Sequence, residues 1–170
     1  MSKLEWLKGF IIFYGIITVL LIVDQWFLGI LNQWYQSPRF SISYETLVQM
    51  GIMQRLAGVL ISSISAGFFI GVLYCFYGII GRVQNDQTFT KNTLNKISKA
   101  TQFYLAYTIF YPFYEAAFSV ITTLHTKSHV LSVSFGTENL NQILIASCLY
   151  VVFKIMQEAH QISAENELVI

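Results

Sequence analysis

The chain has 170 residues, 55% of them hydrophobic and only 11% charged, against roughly a quarter charged in ordinary soluble domains. A net charge of +1 offers no field for nucleic acid, so direct binding to DNA or RNA is not expected. Two cysteines cannot build a disulfide framework, and so apolar a chain is expected to turn its side chains to lipid or to one another.

Four apolar runs, 4–26, 55–80, 100–124 and 140–156, approach the ~20 residues needed to cross a ~30 Å hydrocarbon layer. They predict an all-α membrane protein, a four-transmembrane-helix bundle forming a single domain over 1–170. Lys3, Lys8, Arg82, Lys91, Lys96, Lys99 and Lys154 fall on one side of that arrangement, and Arg39, Arg55 and Lys127 on the other. The excess of cations marks the cytoplasmic face, which places both termini and the connection 81–99 inside.

The first run opens like a signal peptide, with Lys3 and Lys8 before an apolar stretch. Asp24-Gln25-Trp26-Phe27-Leu28 comes next, without the small residues that cleavage needs, so the run is expected to remain as an anchor. Trp6 and Trp26 are expected in the interfacial belts at its two ends, with Asp24 at headgroup level. In the first outer connection, Arg39-Phe40-Ser41-Ile42-Ser43-Tyr44-Glu45 alternates apolar with polar residues, as does Leu131-Ser132-Val133-Ser134-Phe135 in the second. Two short strands pairing into a β cap on the outer face are one expectation, irregular loops the other.

The second run carries Ser63, Gly67, Gly71 and Cys75 at every fourth position, a small-residue strip on which another helix backbone can approach closely. Packing within the bundle is the first expectation there, and a homodimer seam at the Gly67 to Gly71 spacing the second. In the inner connection, Thr90 is placed to cap a helix that carries Leu94, Ile97 and Thr101 at helical spacing, about two turns ahead of the bilayer. Lys91, Lys96 and Lys99 then ring its inner end and are expected to meet anionic lipid headgroups.

The third run is the most distinctive. Tyr104, Tyr107, Tyr111, Tyr114 and Phe118 recur at spacings of three and four, forming one aromatic stripe with Glu115 beside it. Phenols and a carboxyl at membrane depth seek polar partners, so this face is expected to point into the bundle. Pro112 removes one backbone donor and is expected to kink the helix. Glu115 is the leading candidate for a ligand- or proton-responsive group, with Tyr107, Tyr111 and Tyr114 as its companions. A purely structural carboxyl, neutral and hydrogen-bonded, is the competing expectation.

Beyond it, His125 and His129 are four apart but beside Lys127 and without nearby acidic or cysteine ligands, so no metal site is expected. No cofactor motif or catalytic triad order is present in the sequence, and the protein is not expected to be an enzyme. Cys148 in the fourth run, like Cys75, is expected to pack as a small apolar residue. The tail 157–170 is acidic through Glu158, Glu165 and Glu167. Lys91 and Lys96 against Glu165 and Glu167 form a candidate docking pair, worth only ~1 kcal/mol in total at an exposed surface.

The four spans, the inner segment Thr88-Phe89-Thr90-Lys91-Asn92 and the ending Glu165-Asn166-Glu167-Leu168-Val169-Ile170 together resemble the domain-of-unknown-function 2975 family of short bacterial membrane proteins. The resemblance is expected to extend over nearly the whole chain, although Val169 stands where the family usually has threonine. It implies a bacterial inner-membrane location and a small helix-turn-helix regulator as partner, and it carries no catalytic residues over. A non-enzymatic membrane sensor or regulatory partner is therefore the favoured expectation. A small transporter or channel component using Glu115 and the tyrosines as a polar path is the alternative.

Overall fold

The computed structural model describes residues 3–30, 42–85, 87, 90–124 and 137–167, with side chains at all of these except Lys3, Thr137, Glu138 and 163–167. Among them the chain is helical. Helix α1 (Lys3–Val23) passes into a π-helical turn (Asp24–Leu28), a short α2 follows (Tyr44–Gln49), and three long helices complete the order: α3 (Ile52–Val83), α4 (Lys91–Thr123) and α5 (Thr137–Glu167).

Three segments are long and apolar enough to cross a membrane, Leu4–Leu28, Ile52–Val83 and Asn139–Ile162. Their outer surface fits lipid and not water: Ile12, Phe13, Ile16 and Leu20 on α1 are each more than half exposed, a patch that a soluble monomer rarely tolerates. Helix α4, at 33 residues, is long enough as well but less apolar. Thr93, Thr101, Thr108, Tyr111, Tyr114 and Glu115 are all buried on it, while Leu105, Ile109 and Phe113 are exposed, as are Lys91, Asn92, Asn95, Lys99 and Gln102 toward its start. The helix continues through Pro112 without interruption.

No strand occurs among the described residues. At the first proposed cap segment, Ser43 instead begins a helix, its Oγ accepting the Thr46 N–H at 3.2 Å, so Tyr44 and Glu45 are helical. A serine at an N-cap satisfies a backbone donor that a two-stranded ladder would otherwise have to engage. Residues 39–41 and 131–135 lie outside the described residues. Beyond the fourth apolar run, α5 continues as one helix through Glu167, so the described part of the tail is helical.

The chain divides into two compact units. The first contains Met1–Phe13, Phe68–Thr108 and Gly136–Ile170. Within it, the Phe103 ring lies flat enough against Gly71 that a Cβ there would be 3.0 Å from the ring, and Phe69 meets Tyr107 at 6.1 Å between centroids. Positions rise on α3 as they fall on α4, the mark of an antiparallel pair. Val72, Cys75, Leu94, Ala100 and Ala146 are buried in this unit. The start of α4 is fixed as expected from Thr90: its hydroxyl accepts the Thr93 N–H at 3.4 Å, and the fully buried Thr93 hydroxyl donates to the Gln87 carbonyl at 2.7 Å.

The second unit, Tyr14–Gly67 and Ile109–Phe135, contains an apolar core. Trp26, Ile42, Leu47, Met50, Tyr114 and Phe118 pack into one cluster, with Ile22, Val59, Ile61, Phe110 and Ile121 against it. Helix α2 contributes Leu47 to this core and leaves Tyr44 and Val48, one turn apart, exposed on its other face. That division gives the short helix one face packed on the cluster and one left exposed.

Candidate functional site

Asp24, Ser62 and Tyr114, buried polar groups of the second unit, meet at the end of α1. There the helix widens into the π-helical turn, which ends at Gly29 in the left-handed region (φ 66), with the Gly29 N–H donating to the Asp24 carbonyl at 2.6 Å. Glycine is required twice over, by that φ and because a Cβ would lie 2.7 Å from Leu47 Cδ1. Asp24 is 4% exposed, and its Oδ1 accepts the Ile30 N–H at 3.1 Å. Asp24 thus closes the helix end from inside the fold. A wide turn of this kind rotates the residues beyond it and is frequent at functional positions.

The residue so rotated is Trp26, which is fully buried. Its indole rests on the bare backbone of Gly58, where a Cβ would fall 2.3 to 2.4 Å from three ring carbons. One turn further along α3, Ser62 accepts the indole N–H at 2.9 Å. The Ser62 hydroxyl in turn lies 3.4 Å from the Tyr114 hydroxyl, which also hydrogen-bonds the Gln25 side chain. Phe118 meets the indole edge-on, 5.5 Å between centroids at 66°. Trp26 is therefore a hub of the interior and not the interfacial anchor that its distance from Trp6 implied. Trp6 itself is 65% exposed and stacks on Phe10 at 5.9 Å, as a lipid-facing aromatic does.

Of the candidate residues, Tyr111, Tyr114 and Glu115 are brought together in this unit, each less than a tenth exposed, with Tyr111 and Tyr114 at 6.4 Å between ring centroids. Tyr107 belongs to the other unit and packs on Phe69 and Tyr104. The small-residue strip divides in the same way. Ser63 and Gly67 are exposed, with nothing within 4 Å of a Cβ at Gly67, whereas Gly71 receives the Phe103 ring and Cys75 is buried. Close approach to α3 falls at Gly71 within the strip and at Gly58 and Gly78 outside it. Lys91 is exposed and Lys96 half-buried; the Glu165 and Glu167 side chains, like His125 and His129, lie outside the described residues. Cys148 is exposed.

Gln25, Trp26, Gly58 and Ser62 had no signal of their own in the sequence, since a lone glycine and serine in an apolar helix look the same whether they face lipid or an indole. Chemically the node offers an indole donor, two hydroxyls and a carboxamide closed on one another, with the carboxyls of Asp24 and Glu115 buried in the same unit. Arg55, also in this unit, donates through Nη2 to the Leu47 carbonyl and so ties α2 to the start of α3. Among the described residues no three histidine, cysteine, aspartate or glutamate side chains gather as a metal site would need.

Three helices long and apolar enough to span a bilayer mark a membrane protein whose described residues are helical. The chain belongs to the family described as "protein of unknown function (DUF2975)", whose sequence model matches residues 42–170 and leaves α1 outside. No curated protein and no solved structure matches it.

Proposed function

We propose that the protein crosses a bacterial inner membrane four times, with α4 as the fourth span and both termini cytoplasmic, and that it serves there as a non-enzymatic sensor or regulatory partner of a cytoplasmic protein. The burial of α4's polar side supports the fourth span, because a helix that hides its hydroxyls and carboxyl and turns Leu105, Ile109 and Phe113 outward suits lipid despite its modest apolarity. The distribution of lysine and arginine supports the orientation.

The observation that carries the regulatory reading is the closure of the Trp26–Ser62–Tyr114 node. A conduit presents its polar groups to a continuous lumen, whereas here indole, serine, phenol and carboxamide are spent on one another beneath α2. A closed, hydrogen-bonded node linking α1, α3 and α4 is the kind of element that holds one of two helix arrangements until a signal in the bilayer or at its rim releases it. The partner fitting the family resemblance is a small helix-turn-helix regulator.

Crosslinking in native membranes followed by purification of the full chain tests this reading. A cytoplasmic DNA-binding protein should be recovered with the wild type, and its yield should change when Ser62→Ala opens the node. Proton or solute flux into liposomes that depends on Glu115, without any such partner, would instead establish the transporter alternative.

A further inference from the structure

In the unit that contains the chain's start, two lysines from different helices are folded onto the same stretch of α3. Lys96, from α4, lies across Gly78: a Cβ there would be 2.4 Å from its Nζ. Lys8, from α1, lies beside Gly81, where a Cβ would be 3.3 Å from its Nζ. These two glycines are three positions apart on one face of α3, so the two ammonium groups lie about one turn from each other along it.

Neither ammonium meets a carboxylate among the described residues. Lys8 donates to the Gln84 side-chain oxygen at 2.6 Å and stands 5.5 Å from the centre of the Tyr77 ring; Lys96 stands 4.9 Å from the centre of the Tyr74 ring. Each cation is thus held by a neutral oxygen or an aromatic face, which positions it without cancelling its charge. Lys99, one turn beyond Lys96, adds a third cation, and Arg82 a fourth. The holding rings are themselves on the outer surface, Tyr74 69% and Tyr77 39% exposed, on a helix apolar enough to span a membrane.

We propose that Lys8 and Lys96 form a binding site for the phosphodiester headgroup of an anionic phospholipid. The phosphate oxygens take the ammonium protons that no carboxylate among the described residues claims, and the glycerol and acyl chains run along the exposed faces of Tyr74 and Tyr77. Exposed tyrosines at the level of the cations favour a lipid over a soluble phosphate, which would have no use for an apolar flank. The glycines at 78 and 81 are what allow the two lysine stems to lie flat on α3 and hold their charges at the helix surface instead of reaching past it.

This inference rests on the membrane reading, and its test separates the two. The full chain is reconstituted in nanodiscs holding equal amounts of phosphatidylglycerol and phosphatidylcholine, and the lipids retained on release are counted by native mass spectrometry. Stable incorporation reports on the membrane reading; the ratio of lipids reports on the site. The wild type should retain the anionic lipid about tenfold over the zwitterionic one, on the order expected for two well-placed lysines. Lys8→Gln with Lys96→Gln should bring the ratio to parity, and Lys8→Arg with Lys96→Arg should preserve it. Gly78→Ala, which keeps every charge and displaces only the flexible end of Lys96, should lower it, while exposed Lys91→Gln should leave it unchanged. A ratio that survives the double glutamine variant overturns the proposal. So does millimolar inorganic phosphate displacing the lipid completely, which would make this a site for free phosphate.

Discussion

Gly58→Ala is expected to unseat the Trp26 indole and to lower the stability of the detergent-solubilised protein by about 3 kcal/mol, the upper range for overpacking an interior. The single added carbon would sit 2.3 to 2.4 Å from a ring that is fully enclosed and cannot move aside. Gly67→Ala, on the same helix with nothing within 4 Å, should stay within about 0.5 kcal/mol of the wild type. Trp26→Ala alone should cost about 3–5 kcal/mol through the cavity it leaves. The two changes share one contact, so the double variant should be no less stable than Trp26→Ala by itself, a non-additivity readable by thermal melting. Additive losses would remove the seat of Trp26 on Gly58 from the account.

Glu115→Leu is the second large effect expected. Glu115 is 7% exposed and has an interaction partner, so leucine removes a polar group from an interior where none can be replaced by water, at about 1–3 kcal/mol. Glu115→Gln keeps the shape and the capacity to hydrogen-bond and should melt within about 1 kcal/mol of the wild type. The pair also separates roles. A carboxyl that switches leaves a stable glutamine variant that has lost its response, read as recovery of the crosslinked partner. A carboxyl that only packs leaves a glutamine variant normal in both measurements.

The two effects also mark what sequence could and could not reveal. Glu115, Tyr111, Tyr114 and Phe118 were legible as an interior stripe because helical spacing and the cost of polar groups in lipid both act along one helix. Thr90 was legible for the same reason, as a cap whose partner lies three residues away. The Trp26 seat was not, because it joins residues 32 and 36 positions apart, and because the π-helical turn rotates Trp26 away from where an unbroken α-helix at the membrane edge would have put it. Ser43 shows a different limit. Alternation around Ile42 and Tyr44 fits a strand as well as a short capped helix, and only the Thr46 N–H waiting for an acceptor decides between them. Helix α4 shows the converse, where modest mean apolarity goes with the burial of Thr93, Thr101, Thr108, Tyr111, Tyr114 and Glu115.

The claim on which the rest depends is that four helices cross the bilayer with α4 among them. Single cysteines at Ser37, Ser128, Asn92 and Phe113, in a chain lacking Cys75 and Cys148, test it most directly through labelling with an impermeant thiol reagent. In intact cells the cysteines at 37 and 128 should react. The one at 92 should react only after the membrane is opened, and the one at 113, two-thirds exposed on the outward side of α4, should not react in either state because lipid covers it. Labelling of position 92 in intact cells would invert the topology, and ready labelling of position 113 would mean that α4 does not cross the membrane.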